Sequence, residues 1–157
     1  MEKLYLDDLT EGAQYTSDTL EVTEADIKRF AREFDPQPFH LDDEAARSTL
    51  FGGLAASGWH TAAITMRLMT EGGVPIGGGL VGLGGEISWP KPTRPGDVLH
   101  VVSVVTEIRP SKSKPGQGIV TTTSETINQA GDVVQKFVAK LVVYTRAQAA
   151  QNAARQV

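Results

Sequence analysis

The sequence predicts an α+β protein in which one buried helix is wrapped by a long antiparallel sheet. Three observations carry this. The run GWHTAAITMRLMT, from Gly58 to about Thr70, has apolar residues on nearly every face and Arg67 as its only formal charge, which predicts a largely buried helix. From Leu80 onward the chain turns to β-branched runs of strand length separated by Gly- and Pro-rich breaks. An amphipathic helix over Thr23–Phe34 precedes both.

Each element has a local cause. Thr23 is suited to cap the first helix, Glu24 and Asp26 favour its positive end, and Ile27, Phe30, Ala31 and Phe34 make one apolar stripe. Pro36 and Pro38 stop it, because the residue before a proline is pushed out of helical geometry. A short second helix is expected from Asp42 or Asp43 over EAARS, and Ser57 is an N-cap for the buried helix. A glycine-heavy passage, Gly72 to Gly85, leads into LVGLGGEISWPKP and the turn signal RPGD. VLHVVSVVTEI, GIVTTTSETI and VVQKFVAKLVVYT come next as strands, the last two joined as a hairpin through Asn128–Asp132. Residues 1–146 are expected to form one domain. Residues 147–157, rich in Ala and Gln, read as a frayed or helical tail without chemistry.

Composition narrows the function. At 157 residues the chain can bury a real core without staples. A net charge of −4 argues against non-specific nucleic-acid binding. With no cysteine, disulfides, thiolate chemistry and Cys-based zinc sites are excluded. No apolar run approaches the ~20 residues that span a bilayer, and MEKLYLDDLTEG lacks a secretory pattern, so a cytoplasmic location without membrane contact is expected.

Several motifs are decoys. Gly77, Gly79 and Gly82 fit G-x-G-x-x-G, but a dinucleotide site needs a strand before it and a helix after it, the reverse of the order here. Ser57 lacks the G-x-S-x-G elbow of a hydrolase nucleophile. His40 and His60 have no metal-ligand spacing, so no metal is expected, and His100 reads as an ordinary strand residue.

The stretch FDPQPFHLDDEAA is different. Asp35 can simply end a helix and His40 pack in a loop. Alternatively, the two prolines hold a carboxylate and an imidazole rigidly enough to share one water. The helix N-terminus at Ser57–Gly58 comes about 18 residues later, and its free N–H groups suit a developing oxyanion. Gly58 would let a carbonyl approach closely. An acid, a base and an oxyanion donor are the parts needed to move a proton next to a carbonyl.

FDPQPFHLDDEAARSTLFGGLAASGWHTAAITMRLM resembles the hydratase motif of the MaoC-like dehydratases, which include the (R)-specific enoyl-CoA hydratases. D-x-x-P-x-H is followed by a small-residue lead-in to the glycine that opens the central helix. GGEISWPKPTRPGDVL resembles their strand–turn segment, and the likeness runs from about Leu20 to Tyr144. The resemblance implies a single hotdog fold, a homodimer or higher homo-oligomer, and reversible hydration of a trans-2-enoyl-CoA to an (R)-3-hydroxyacyl-CoA. It implies Asp35 and His40 as the catalytic pair and the Gly58 N–H as the donor to the thioester carbonyl. Ser57, Trp59 and Met66 are then substrate-side positions. No metal or redox cofactor is implied, since a thioester already acidifies its α-carbon. The chain departs from the family at Gln37, where Asn is usual, and at Met66, where some hydratases carry a small hydroxyl residue. Both bear on the hydrogen bonds that support Asp35.

The loop RPSKSKPGQG is either a solvated hairpin loop or, through Arg109, Lys112 and Lys114, a contact for CoA phosphates. Two other readings of the whole chain stand beside hydration: a hotdog thioesterase, and a non-catalytic acyl-CoA-binding hotdog protein.

Overall fold

The computed structural model describes residues 1–155. A 3-10 turn at Leu6–Asp8 precedes short strands β1 (Gln14–Thr16) and β2 (Leu20–Glu21), then α1 (Glu24–Phe34), α2 (Pro38–Leu41), α3 (Asp43–Arg47) and α4 (Gly58–Gly72). Strands β3 (Val81–Ser88), β4 (Val98–Pro110), β5 (Gln117–Ile127) and β6 (Val133–Tyr144) come next, and α5 (Arg146–Ala154) closes the chain. Among the described residues the sheet has six strands, in the order β1-β4-β5-β6-β3, with β2 also paired to β4. The pairs are antiparallel. The helix-then-sheet division and the four long strands agree with the sequence reading. The two short strands and α2 carry too few residues to show a period.

Local chemistry explains the boundaries. The Thr23 hydroxyl accepts the Asp26 N–H at 3.1 Å, and α1 ends at Asp35, whose N–H bonds to the Ala31 carbonyl at 2.9 Å. Pro38 sits in the first turn of α2, where its missing N–H costs nothing. Asp42 caps α3 by accepting the Ala45 N–H at 2.8 Å. In the β5–β6 hairpin, Asn128 Oδ1 accepts the N–H groups of Ala130 and Asp132, and Gly131 takes a φ of +82° that favours glycine.

The core lies between α4 and the concave sheet face. Ile64, Leu68 and Met69 of α4 pack with Val22, Ile27, Leu99, Val101 and Val134. A second cluster gathers Leu6, Val74 and Ile76 over Val105, Val120 and Leu141. Between helix and sheet runs a polar seam. Thr61 bonds Thr93 at 2.9 Å and Thr65 bonds Thr126 at 2.6 Å, so these buried hydroxyls are satisfied where unpaired ones would be costly.

One expectation needs correction. The central helix is not largely buried in the single chain: Trp59 is 60% exposed and Met66 42%, on a face shared with Ala63 and Thr70. Apolarity all round marks a helix that wants cover, but not what supplies it. For the tail, expected as frayed or helical, the structure gives a helix that Arg146 anchors. Arg146 bonds Asp7 and Asp8, its guanidinium lies over the Tyr5 ring, and α5 rests on the sheet. Val157 and the residue before it lie outside the described residues. No described helix is long and apolar enough to cross a membrane.

Candidate active site

The abrupt end of α1 and the single turn of α2 bring Asp35 and His40 face to face. His40 Nε2 lies 3.3 Å from Asp35 Oδ2, with His40 buried and Asp35 nearly so. His40 Nδ1 lies 2.7 Å from the Ala55 carbonyl, which accepts but cannot donate. The ring proton therefore sits on Nδ1 in the neutral tautomer, and Nε2 is turned to Asp35. The Phe39 ring meets the imidazole edge-on at 4.6 Å and Phe51 flanks it at 5.7 Å, so the ring is confined on its apolar sides.

Asp35 is held from three directions. The Ser57 hydroxyl donates to Oδ2 at 2.7 Å, the Gln37 amide donates to Oδ1 at 2.6 Å, and His40 faces Oδ2. Partial burial raises the Asp35 pKa. The bonds from Ser57 and Gln37, joined by the charge that His40 carries when protonated, outweigh it, and the carboxyl titrates below the usual aspartate value.

Ser57 also starts α4. Its Oγ accepts the Trp59 N–H at 3.2 Å, and its carbonyl accepts the N–H groups of His60 and Thr61. Among the described residues nothing takes the Gly58 N–H, so this orphan donor at the positive end of the helix remains available. A Cβ at position 58 would lie 2.7–2.9 Å from the Trp89 indole, so only glycine fits beneath that ring. Trp89 is fixed in turn by a 2.9 Å bond from Nε1 to Oε1 of the buried Gln135, and by Trp59 edge-on at 5.3 Å. A cavity of about 380 Å³ opens over Gly58, walled by Leu50, Phe51, Trp89, Pro90 and Pro92. The loop beneath it is clamped by Arg94, whose guanidinium donates to the carbonyls of Phe51, Gly53 and Leu54.

The structure thus brings together Asp35, His40, Ser57 and Gly58. Ser57 is placed against Asp35, where its hydroxyl is fully engaged, and not on a substrate surface. Trp59 braces Trp89. Met66 lies eight residues along α4 from Gly58, about 12 Å at 1.5 Å per residue, and borders a separate cavity of about 220 Å³ between α4 and the glycines of β3. Arg109, Lys112 and Lys114 do not reach the site within one chain. Their loop adjoins the Gly118–Val143 pairing, and Val143 is eight residues from Gln135 on β6, about 26 Å at ~3.3 Å per residue. Arg109 is paired with Glu107. Sequence reasoning missed Gln135 and the Ala55 carbonyl as parts of the site. It reached Gln37 only as a departure bearing on the support of Asp35, and the structure shows that Gln37 supplies such a bond.

A central helix packed against this antiparallel sheet defines a hotdog protein. The chain belongs to the MaoC-like dehydratase family: the MaoC like domain matches residues 8–128. The MaoC-like dehydratase from Rhodospirillum rubrum is similar at 60% identity and a TM-score of 0.90, over 91% of this chain and 98% of that one. The R-hydratase PhaJ1 from Pseudomonas aeruginosa shares 26% identity with a TM-score of 0.71, over 92% of this chain and 88% of its own. The uncharacterized protein YdeM from Bacillus subtilis (strain 168) is 36% identical over 125 residues, 79% of this chain and 87% of YdeM.

Proposed function

We propose that the protein hydrates a trans-2-enoyl thioester, of the acyl-CoA type, to the (R)-3-hydroxyacyl thioester, and runs the reverse dehydration. The observation that carries this is the free Gly58 N–H standing beside the Asp35–His40 pair. With the thioester carbonyl on Gly58, the π electrons of the C2–C3 bond can move toward C1 and leave an enolate oxygen at a donor of the right polarity. A water held by Asp35 and His40 gives its oxygen to C3. Its proton passes to the pair, and a proton is returned to C2, so all atoms of water are accounted for. No redox group is needed, since electrons are rearranged and not lost. Asp35 is suited to accept the proton because its donors keep it ionised.

This reading includes a second copy of the chain. The outer edge of β3 pairs with no other strand among the described residues, and Val81 and Leu83 there are 53% and 62% exposed, beside the uncovered Trp59 and Met66. An apolar edge of this kind invites strand pairing.

Loss of the conjugated-enoyl ultraviolet absorbance with short trans-2-enoyl-CoA is the direct test, with free thiol assayed in parallel. Hydration without thiol release is expected. Asp35→Asn and His40→Ala should each lower kcat by about 10²–10⁴-fold while the fold is retained. Thiol release without hydration would assign a thioesterase, and a dyad variant of near-normal rate would remove the pair from the mechanism.

A further inference from the structure

We infer that Arg94, in the RPGD turn, is a positioning residue for the acid–base pair. By gripping the segment before Ala55 it keeps the Ala55 carbonyl on His40, and so fixes which imidazole nitrogen carries the proton. Its kinetic consequence rests on the hydration reading. The residues from Phe51 to Ser57 lie in neither helix nor strand. Yet they carry Phe51 beside the imidazole, the Ala55 carbonyl on Nδ1 and the Ser57 hydroxyl on Asp35. Backbone without a ladder needs other partners to hold it in one place.

Arg94 supplies them. Nη1 donates to the Gly53 carbonyl at 2.9 Å and the Leu54 carbonyl at 3.3 Å, and Nη2 donates to the Phe51 carbonyl. Among the described residues none of these carbonyls joins a backbone hydrogen bond. Carbonyl dipoles aimed at one point repel one another unless a cation stands there, and the planar guanidinium fork reaches all of them. From the other side, Asp43 Oδ1 accepts the Leu54 N–H at 3.0 Å and the Phe39 carbonyl accepts the Ala55 N–H at 3.2 Å. Leu54 is thus gripped on both backbone groups, and the Ala55 carbonyl that follows is turned to His40.

The clamp has a fixed base. Arg94 opens a tight turn with Pro95 next and Gly96 at a φ of +85°, closed by the Asp97 N–H on the Arg94 carbonyl at 3.1 Å. The buried Asp97 carboxylate accepts the Arg94 N–H at 2.8 Å and Gln129 Nε2 at 3.0 Å. The Thr93 carbonyl accepts the Ala56 N–H at 2.9 Å. The turn is therefore tied to the β5–β6 hairpin, and the sheet sets where the guanidinium stands. Arg94 itself bonds neither Asp35 nor His40 among the described residues, so it acts through the segment.

The test compares Arg94→Lys, which keeps the charge without the fork, with Arg94→Ala, which removes both; denaturant unfolding establishes that each is folded. NMR of the ring nitrogens reads the tautomer of the neutral imidazole, with the His40 signals assigned by their loss in His40→Ala. The wild-type ring should be protonated on Nδ1, and in both variants it should become a mixture of tautomers. On a short trans-2-enoyl-CoA, kcat should fall at least about tenfold with KM within about twofold, because the geometry lost is needed for the proton transfer and not for binding. A wild-type ring protonated on Nε2, a ring that stays on Nδ1 in the variants, a normal kcat, or a loss confined to KM each overturns the inference. If Arg94→Ala does not fold, Arg94→Lys decides alone. If the wild type hydrates no enoyl thioester, the hydration reading fails, and the tautomer in Arg94→Lys still decides the role of Arg94.

Discussion

Ser57 joins the two halves of the site. One hydroxyl accepts the Trp59 N–H, capping the start of α4, and donates its hydrogen bond to Asp35. The small hydroxyl expected deeper in the helix is replaced by Met66, and Ser57 with Gln37 supplies the support that this departure put in question. Ser57→Ala should therefore cost about 1 kcal/mol of stability as a lost cap, measured by denaturant unfolding. It should also raise the Asp35 pKa toward the ordinary value, read by carboxyl-carbon NMR titration, with Ser57→Thr restoring it. The sign comes from the depressed native pKa: Asp35 contributes stability above its unfolded pKa and loses it as pH falls through the lower folded one. An unchanged titration in Ser57→Ala would refute the role. His60 titrates the other way for a base. Burial against Phe30, whose ring stacks on it at 4.7 Å, lowers its pKa; Asp26 raises it in part and Arg29 lowers it further. The neutral ring thus stabilises the fold above its unfolded pKa and ceases to do so as pH falls below it. His60→Phe should flatten the loss of stability between about pH 7 and pH 5, monitored by chemical denaturation at each pH.

At the scale of elements, the junction of α4 with the Trp89 segment controls the site. Gly58→Ala drives a methyl into the indole, so Trp89 must shift from Gln135. A red-shifted tryptophan emission together with at least a tenfold loss of activity is expected; a normal spectrum with normal activity would show the contact to be unimportant. The start of α4 was legible in sequence because Ser-Gly before an apolar helical run is a local signal. So were the β5–β6 hairpin and the stop after Phe34. Trp89, by contrast, is 31 positions from Gly58 in the chain, and only the β3–β6 pairing brings it and Gln135 over the helix N-terminus.

For the whole molecule, the uncovered face of α4 and the edge of β3 left unpaired among the described residues both expose apolar side chains. Sedimentation equilibrium should give a dimer or larger assembly. Leu83→Lys, placed on the free strand, should shift it toward monomer without unfolding the chain. A wild-type monomer at micromolar concentration would remove the second copy from the proposed function.

By itself the sequence determined the helix that stops at Asp35, the glycine that opens the central helix and the antiparallel strands, because each rests on local periodicity, capping or proline geometry, and it offered the Asp35–His40 pair as one of two readings. The tertiary structure decided what holds that pair and what surrounds it. Ser57 bonds Asp35 across 22 residues, Ala55 sets the imidazole tautomer, and Trp89 covers Gly58. It also set the Arg109–Lys114 loop apart from the site of the same chain. Contacts of this kind are fixed by strand register and helix packing, which join residues far apart in the chain and leave no periodic trace in it.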